Sequence, residues 1–155
     1  PLEGLAQDVA ALTEGQAVSR GVRVVATAPV EGGSVVVGCD RAKVTQVVLN
    51  LVQNALDAAP DGSQVELRAE PLPGGGGRLR VLDRGPGIDD DAERLFAPGV
   101  TTKPRGNGLG LTIARTLARQ HGGDLRLARR EGGGTEALLE LKAQPMPNRP
   151  GEVHP

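Results

Sequence analysis

The sequence contains no tryptophan and no tyrosine, and Phe96 is its one phenylalanine. Leu, Val and Ala must therefore fill whatever core forms, and Phe96 reads as a hydrophobic anchor rather than a stacking platform. The one cysteine, Cys39, excludes an internal disulfide, and no metal-ligand spacing surrounds it. Cytosolic chemistry is the default expectation for such a chain. No apolar run approaches the roughly 18 residues of a membrane span, and the start has neither a basic region nor a cleavage site. Neither sign of charge dominates: the formal net charge is −1, with acids and bases interspersed. That balance gives no electrostatic reason to expect nucleic acid or an anionic membrane as a partner.

What is present is enough for one domain. At 155 residues the chain is long enough to bury a core and too short to expect two. Its start at Pro1 points to a segment of a longer protein. The informative stretch is Gly106-Asn107-Gly108-Leu109-Gly110-Leu111, followed by a helical pattern from Leu111 onward. Glycines on alternate positions remove every Cβ from one edge, so backbone amides can lie against an anion. A helix N-terminus adds free amides and partial positive charge, which suits phosphate. The dinucleotide fingerprint and the P-loop both fail on spacing: Leu111 stands where a third glycine would be needed, and Gly-Lys-Ser/Thr is absent. A plain flexible loop before a helix is the competing reading.

Taken in order, Leu2, Leu5, Val9 and Leu12 predict an amphipathic helix over 2–16, ending near Gly15. Alternation predicts a strand over 22–27 and a second, its hairpin partner, over 34–37. Residues 41–59 form the clearest helix, with Asp40 as N-cap, an apolar stripe from Val44 to Ala59, and a stop at Pro60-Asp61-Gly62. Beside that stripe Lys43, Gln46, Asn50, Asn54 and Asp57 fall within an arc of roughly 80°. Asn is a poor helix former, so two of them one turn apart are either tolerated surface residues or carbonyl ligands for a hard cation. Strands follow at 64–70 and 78–83, joined by a glycine-rich stretch, 71–77, too long for a tight turn and expected to be a mobile surface loop. The second strand ends in Asp83-Arg84-Gly85-Pro86-Gly87-Ile88, where Asp83 is either a turn initiator or an acceptor presented to a ligand. A short helical turn near 91–95 and a long excursion containing Thr101, Thr102 and Lys103 precede the glycine loop. After the helix, Gly122-Gly123 supplies a left-handed stop, with His121 in the last turn where a cation is favoured. A hairpin of strands at 124–130 and 135–142 closes the domain, residues 1–142, and 143–155 reads as a disordered Pro-rich tail.

In this order, QVVLNLVQNALDA (46–58), DRGPGI (83–88), FAPGVTTK (96–103), GNGLGL (106–111) and GGGT (132–135) resemble the catalytic ATP-binding domain of bacterial sensor histidine kinases. That domain sits within the wider group of gyrase, Hsp90 and MutL ATPases. The resemblance covers essentially residues 2–142 and implies a two-layer α/β sandwich of the Bergerat type: a mixed sheet, three main helices on one face and a mobile ATP lid. It implies ATP or ADP with Mg²⁺ as cofactors. Asp83 would accept the adenine amino group, with Gly85 and Gly87 giving the base room beside Ile88. Asn54 would coordinate Mg²⁺ and Asn50 would support the same face as a second catalytic residue. Thr101, Thr102, Lys103, Gly106, Gly108, Leu109, Gly110 and Leu111 would form the lid and its phosphate-facing part, and Thr135 would line the adenine pocket. Asp57 stands where many family members carry a phosphate-contacting Lys or Arg, and Ala58 where they carry a Tyr; Gly99 and Val100 replace a more usual aromatic pair.

The resemblance also implies a reaction. The γ-phosphoryl group would pass to a histidine on a dimerisation and phosphotransfer domain of the same parent, and from there to a response regulator. His121 and His154 both lack the mid-helix setting with an acidic neighbour that the family's acceptor needs. ATP-hydrolysing relatives place a Glu one turn before the metal-binding Asn, and here that position is Asn50, which favours a kinase. The alternatives are an ATPase-driven switch, an anti-sigma-type serine kinase sharing the same boxes, and a degenerate module that no longer holds nucleotide.

Overall fold

The computed structural model describes residues 1–27, 29, 33–89, 91–99 and 110–143. Among them the elements are α1 (Leu2–Ser19), β1 (Arg23–Thr27), α2 (Arg41–Ala58), β2 (Gln64–Pro71), β3 (Gly76–Leu82), a 3₁₀ turn (Ala92–Phe96), α3 (Gly110–Gln120), β4 (Asp124–Arg129) and β5 (Thr135–Lys142). The five strands form one mixed sheet in the order β1-β2-β3-β5-β4. β1 runs parallel to β2, and the remaining pairs are antiparallel. A parallel pair needs a crossover, and α2 is that crossover. The expected α/β sandwich with a mixed sheet and three helices is therefore the observed one.

Alternation in the strands sorts side chains to two faces. Val65, Leu67 and Ala69 of β2, Leu79 and Val81 of β3, and Ala137, Leu139 and Leu141 of β5 are buried and join one core with the apolar stripes of the helices. α1 packs over β1 and β2, α2 over β2 and β3, and α3 over β4 and β5. The opposite face carries Glu66, Arg68 and Glu70, Arg78 and Arg80, and Glu136 and Glu140. There Arg78 binds Glu140 at 2.6 Å, Arg80 binds Glu70 at 3.0 Å and also Glu136, and Arg126 binds Glu140 at 2.8 Å.

α2 forms as its sequence dictates: Asp40 accepts from the Lys43 amide at 3.2 Å, and Val44, Val47, Val48, Leu51, Val52, Ala55 and Leu56 are buried. Three expectations fail. α1 runs past Gly15 to Ser19, and Leu12 is 67% exposed while Thr13 is buried, its hydroxyl donating to the Val9 carbonyl at 2.8 Å. At 100° per residue Leu12 stands about 80° from Leu2 around the axis, and Thr13 only about 20°. Residues 34–37 are not a strand. β1 pairs with β2 instead, and Val35 accepts from the Leu2 amide at 2.8 Å, tying this segment to the start of α1. Finally, 71–77 is no mobile loop. Pro71 pairs with Gly77, and Leu72 and Gly76 close a tight turn in which Gly74, Gly75 and Gly76 take φ of 84°, 98° and 90°, a conformation open to glycine.

Candidate functional site

The site is built where the C-terminal half of α2, the residues following β3, the start of β5 and the start of α3 converge. Asp83 follows the last residue of β3 and is 5% exposed. Its backbone N–H donates to the Thr135 carbonyl at 3.0 Å, and its Oδ1 accepts from the amides of Gly85 at 2.8 Å and Thr135 at 3.2 Å. Both bonds fall on Oδ1, and among the described residues Oδ2 makes none. Burial pushes the Asp83 carboxyl above the usual aspartate range, against the pull of those two amides and of the Arg130 charge.

Gly85 brings this loop onto α2. A Cβ at position 85 would stand 2.7 Å from the Ala58 carbonyl oxygen and 2.9 Å from the Ala58 Cβ, so both small residues are needed for the approach. Gly87 lies against the Gly134 carbonyl, next to Thr135. Asn54 is partly buried one turn before Ala58. Asn50, a further turn back, meets α3: a Cβ at Gly110 would stand 2.7 Å from the Asn50 Oδ1. Among the described residues the buried Asn50 Nδ2 has no hydrogen-bond partner, in a groove shared with Gln46, Gly110, Ile113 and Leu117. An orphaned amide at the helix start where phosphate is expected fits a polar guest, since leaving such a group unpaired costs about 1–3 kcal/mol. The residues present are compatible with a divalent cation: a carboxamide oxygen is a hard donor, and Mg²⁺ needs only one or two protein oxygens beside substrate phosphates and water rather than an all-protein cage. Among the described residues no cluster of three His, Cys, Asp or Glu exists to form such a cage.

The structure thus brings Asn50, Gly110 and Leu111 to one end of the site and Asp83, Gly85, Gly87, Ile88 and Thr135 to the other, with Asn54 between. Asp57 is exposed and its carboxylate is engaged by Arg20 at the end of α1. Thr101, Thr102, Lys103, Gly106, Gly108 and Leu109 lie outside the described residues. Phe96 is the anchor the sequence led us to expect: it is 7% exposed and part of the core, the Arg115 guanidinium sits 4.2 Å above its ring, and its carbonyl accepts from the Thr112 hydroxyl at 2.7 Å. His121, just past the end of α3, is 9% exposed. Its buried Nδ1 lies 2.7 Å from the Leu117 carbonyl, which only accepts, and its Nε2 lies 3.3 Å from the Asp40 amide, which only donates. The residue missed by sequence reasoning is Arg130, described below; its partners are far away in sequence, so no spacing reveals it.

This fold and this site define a nucleotide-binding domain. The chain belongs to the histidine kinase-, DNA gyrase B- and HSP90-like ATPase family, whose sequence model matches residues 39–145. Within it the likeness runs to histidine kinases. The chain is 37% identical over 128 residues to the C4-dicarboxylate transport sensor protein DctS of Rhodobacter capsulatus, covering 80% of this chain and 20% of that protein. It is 40% identical over 117 residues to the histidine protein kinase DivJ of Caulobacter vibrioides, covering 70% of this chain and 19% of that protein. Among solved structures, the catalytic domain of histidine kinase ThkA superposes with a TM-score of 0.81 at 30% identity, covering 91% of each chain. Full-length ShkA in complex with AMPPNP gives 0.77 at 31% identity, covering 92% of this chain and 31% of that one. The chain is accordingly a histidine kinase catalytic domain by family, and spans about a fifth of the length of these curated relatives. Among the described residues no helix is long and apolar enough to cross a membrane.

Proposed function

We propose that the chain binds Mg-ATP and donates its γ-phosphoryl group to a histidine on a separate dimerisation domain of a longer sensor kinase, which passes it to a response regulator. The observation that carries this reading is the pairing of a buried, amide-fixed Asp83 carboxylate with the Asn50–Asn54 face of α2 across a gap closed by Gly85 and Ala58. Asp83 Oδ2 accepts from the adenine 6-amino group while Oδ1 stays committed to the backbone. Gly85 and Gly87 leave room for the ring, and Thr135 lines its edge. Asn54 would offer its carboxamide oxygen to the metal, and the Asn50 amide would meet the phosphates. Mg²⁺ supplies charge neutralisation across the phosphates when bound.

The chain need not supply a proton acceptor for the transfer. A neutral imidazole, with an ordinary pKa near 6.5, already carries the lone pair that forms the N–P bond as the bond from γ-phosphorus to the bridging oxygen breaks. Positioning is then the domain's whole task. Asn50 supports this over the ATPase reading, because a carboxamide cannot deprotonate water as a Glu there would. Of the two histidines, buried His121 spends both ring nitrogens on backbone groups, and His154 lies outside the described residues.

Incubating the chain with γ-labelled ATP, alone and with an added histidine-bearing dimerisation domain, tests the proposal. Label should appear only on the added domain and should be acid-labile, as phosphohistidine is. Self-labelling of this chain, acid-stable phosphoserine on a partner, or rapid ATP hydrolysis without any acceptor would each overturn it.

A further inference from the structure

Arg130 is buried, at 8% exposure, unlike the arginines of the charged sheet face around it. A guanidinium taken out of water must be fully engaged to be tolerated. The Arg130 guanidinium is engaged in two directions, and its backbone is tied as well. Its backbone N–H donates to the Gly134 carbonyl at 2.9 Å, its Nη2 donates to Glu66 Oε1 at 2.6 Å, and its Nη1 donates to the backbone carbonyl of Asp83 at 3.3 Å. Glu66 is itself shielded, with a side chain 15% exposed, and Leu82, its register partner on this face, is 3% exposed. The neighbouring Arg129 donates to the Ile88 carbonyl at 2.7 Å. Two consecutive arginines therefore hold the first and last residues of the Asp83–Ile88 loop.

We infer that Arg130 is a positioning residue for purine selection: anchored by Glu66, it grips the Asp83 backbone from the sheet face opposite the helices and fixes the aim of the carboxylate. This rests on the reading that Asp83 accepts from the adenine 6-amino group. The geometry makes the role selective. Asp83 Oδ1 is set by two backbone amides, so rotation of the Asp83 peptide would swing Oδ2 off the amino group, and the Asp83 carbonyl that Arg130 holds belongs to that hinge. The charge acts in the same sense. Burial raises the Asp83 carboxyl, and the amides of Gly85 and Thr135 together with the Arg130 charge oppose that rise. A 6-amino purine needs the acceptor, whereas a 6-oxo purine has no N–H at that position to offer.

The test compares ADP with IDP, which share sugar and phosphates and differ at purine position 6. Both are titrated calorimetrically into the wild-type chain and the Arg130→Met, Glu66→Gln, Arg126→Gln and Asp83→Asn variants, with circular dichroism confirming the fold. Arg130→Met should weaken ADP binding about tenfold, the loss of one well-aimed charge-assisted bond, and IDP binding less than about twofold. Glu66→Gln, which keeps size and packing, should narrow the ADP preference about threefold and carries the test should Arg130→Met fail to fold. Arg126→Gln, on the same sheet face but away from Asp83, should leave the preference unchanged. ADP and IDP weakening by one common factor in Arg130→Met or Glu66→Gln would mean a merely structural role and overturn the inference, as would an unchanged preference. Asp83→Asn separates the two layers. If it abolishes the preference while Arg130→Met keeps it, the role of Arg130 alone falls; if it too keeps the preference, the Asp83 reading falls and takes this inference with it.

Discussion

On the helix side of the sheet Val65, Leu67, Leu79, Leu139 and Leu141 are at most 1% exposed and pack into α1, α2 and α3; on the other side Glu70, Arg78, Arg80 and Glu140 stay partly in water as a cross-strand lattice. The two faces are made by the same strands, residue by alternate residue, yet they hold free energy of different kinds. Each large side chain on the covered face contributes about 1.5–3 kcal/mol by leaving water. An ion pair on the open face contributes about 0–1 kcal/mol, since water and salt already satisfy its members. Stability is therefore concentrated on one face. On the other face Glu66 and Arg130 form a shielded corner that reaches Asp83, just past the end of β3.

The sharpest way to break this contrast is on the covered face. Leu139→Ala, in the middle of β5, should cost about 2–5 kcal/mol, read as a fall in the urea midpoint; a cost under about 1 kcal/mol would mean that the core is not continuous there. Acid probes the open face. Arg78 beside Glu140 holds that carboxyl below the usual glutamate value of 4.5, and at Glu66 burial is outweighed by Arg130 and Arg68 with the same result. Their stabilisation is complete above pH 4.5 and is lost as pH falls through the lowered folded values. Asp83 runs the other way: burial raises it above 3.8, so its contribution worsens as pH rises from 3.8 through the folded value. Glu140→Gln should thus make the loss of stability below pH 4.5 shallower, by under about 1 kcal/mol in an acid titration of the melting curve. The smallest effect belongs to Arg126→Gln. Its side chain is 54% exposed, and its removal should shift stability by no more than about 0.5 kcal/mol in urea.

Local patterns carried most of the fold. α2 was readable because its stripe, its Asp40 cap and its Pro60 stop agree, and β5 because its alternation runs uninterrupted from Thr135 to Lys142. Elements settled by distant contacts were not. Residues 34–37 have strand-like composition, but Val35 bonds to Leu2 and Glu3 at the start of α1, contacts that no local pattern announces. Residues 71–77 look too long for a turn only if the strands stop early; glycine φ values let them continue to Pro71 and Gly76. In the site, Asp83, the Asn50–Asn54 spacing and the glycines at 85 and 110 announce themselves by residue type. Arg130 does not, since its side-chain partners lie far away in sequence. Only the fold brings it to Glu66, 64 positions earlier.

The central claim is that Asp83 and the Asn face of α2 form one nucleotide site. Titrating ADP into the chain by calorimetry, with and without Mg²⁺, beside Asp83→Asn tests it most directly. The account predicts saturable binding that Mg²⁺ strengthens and that Asp83→Asn weakens by at least about tenfold, the loss of a charge-assisted acceptor. Equal binding by the wild-type and Asp83→Asn chains, or none at millimolar nucleotide, would contradict it.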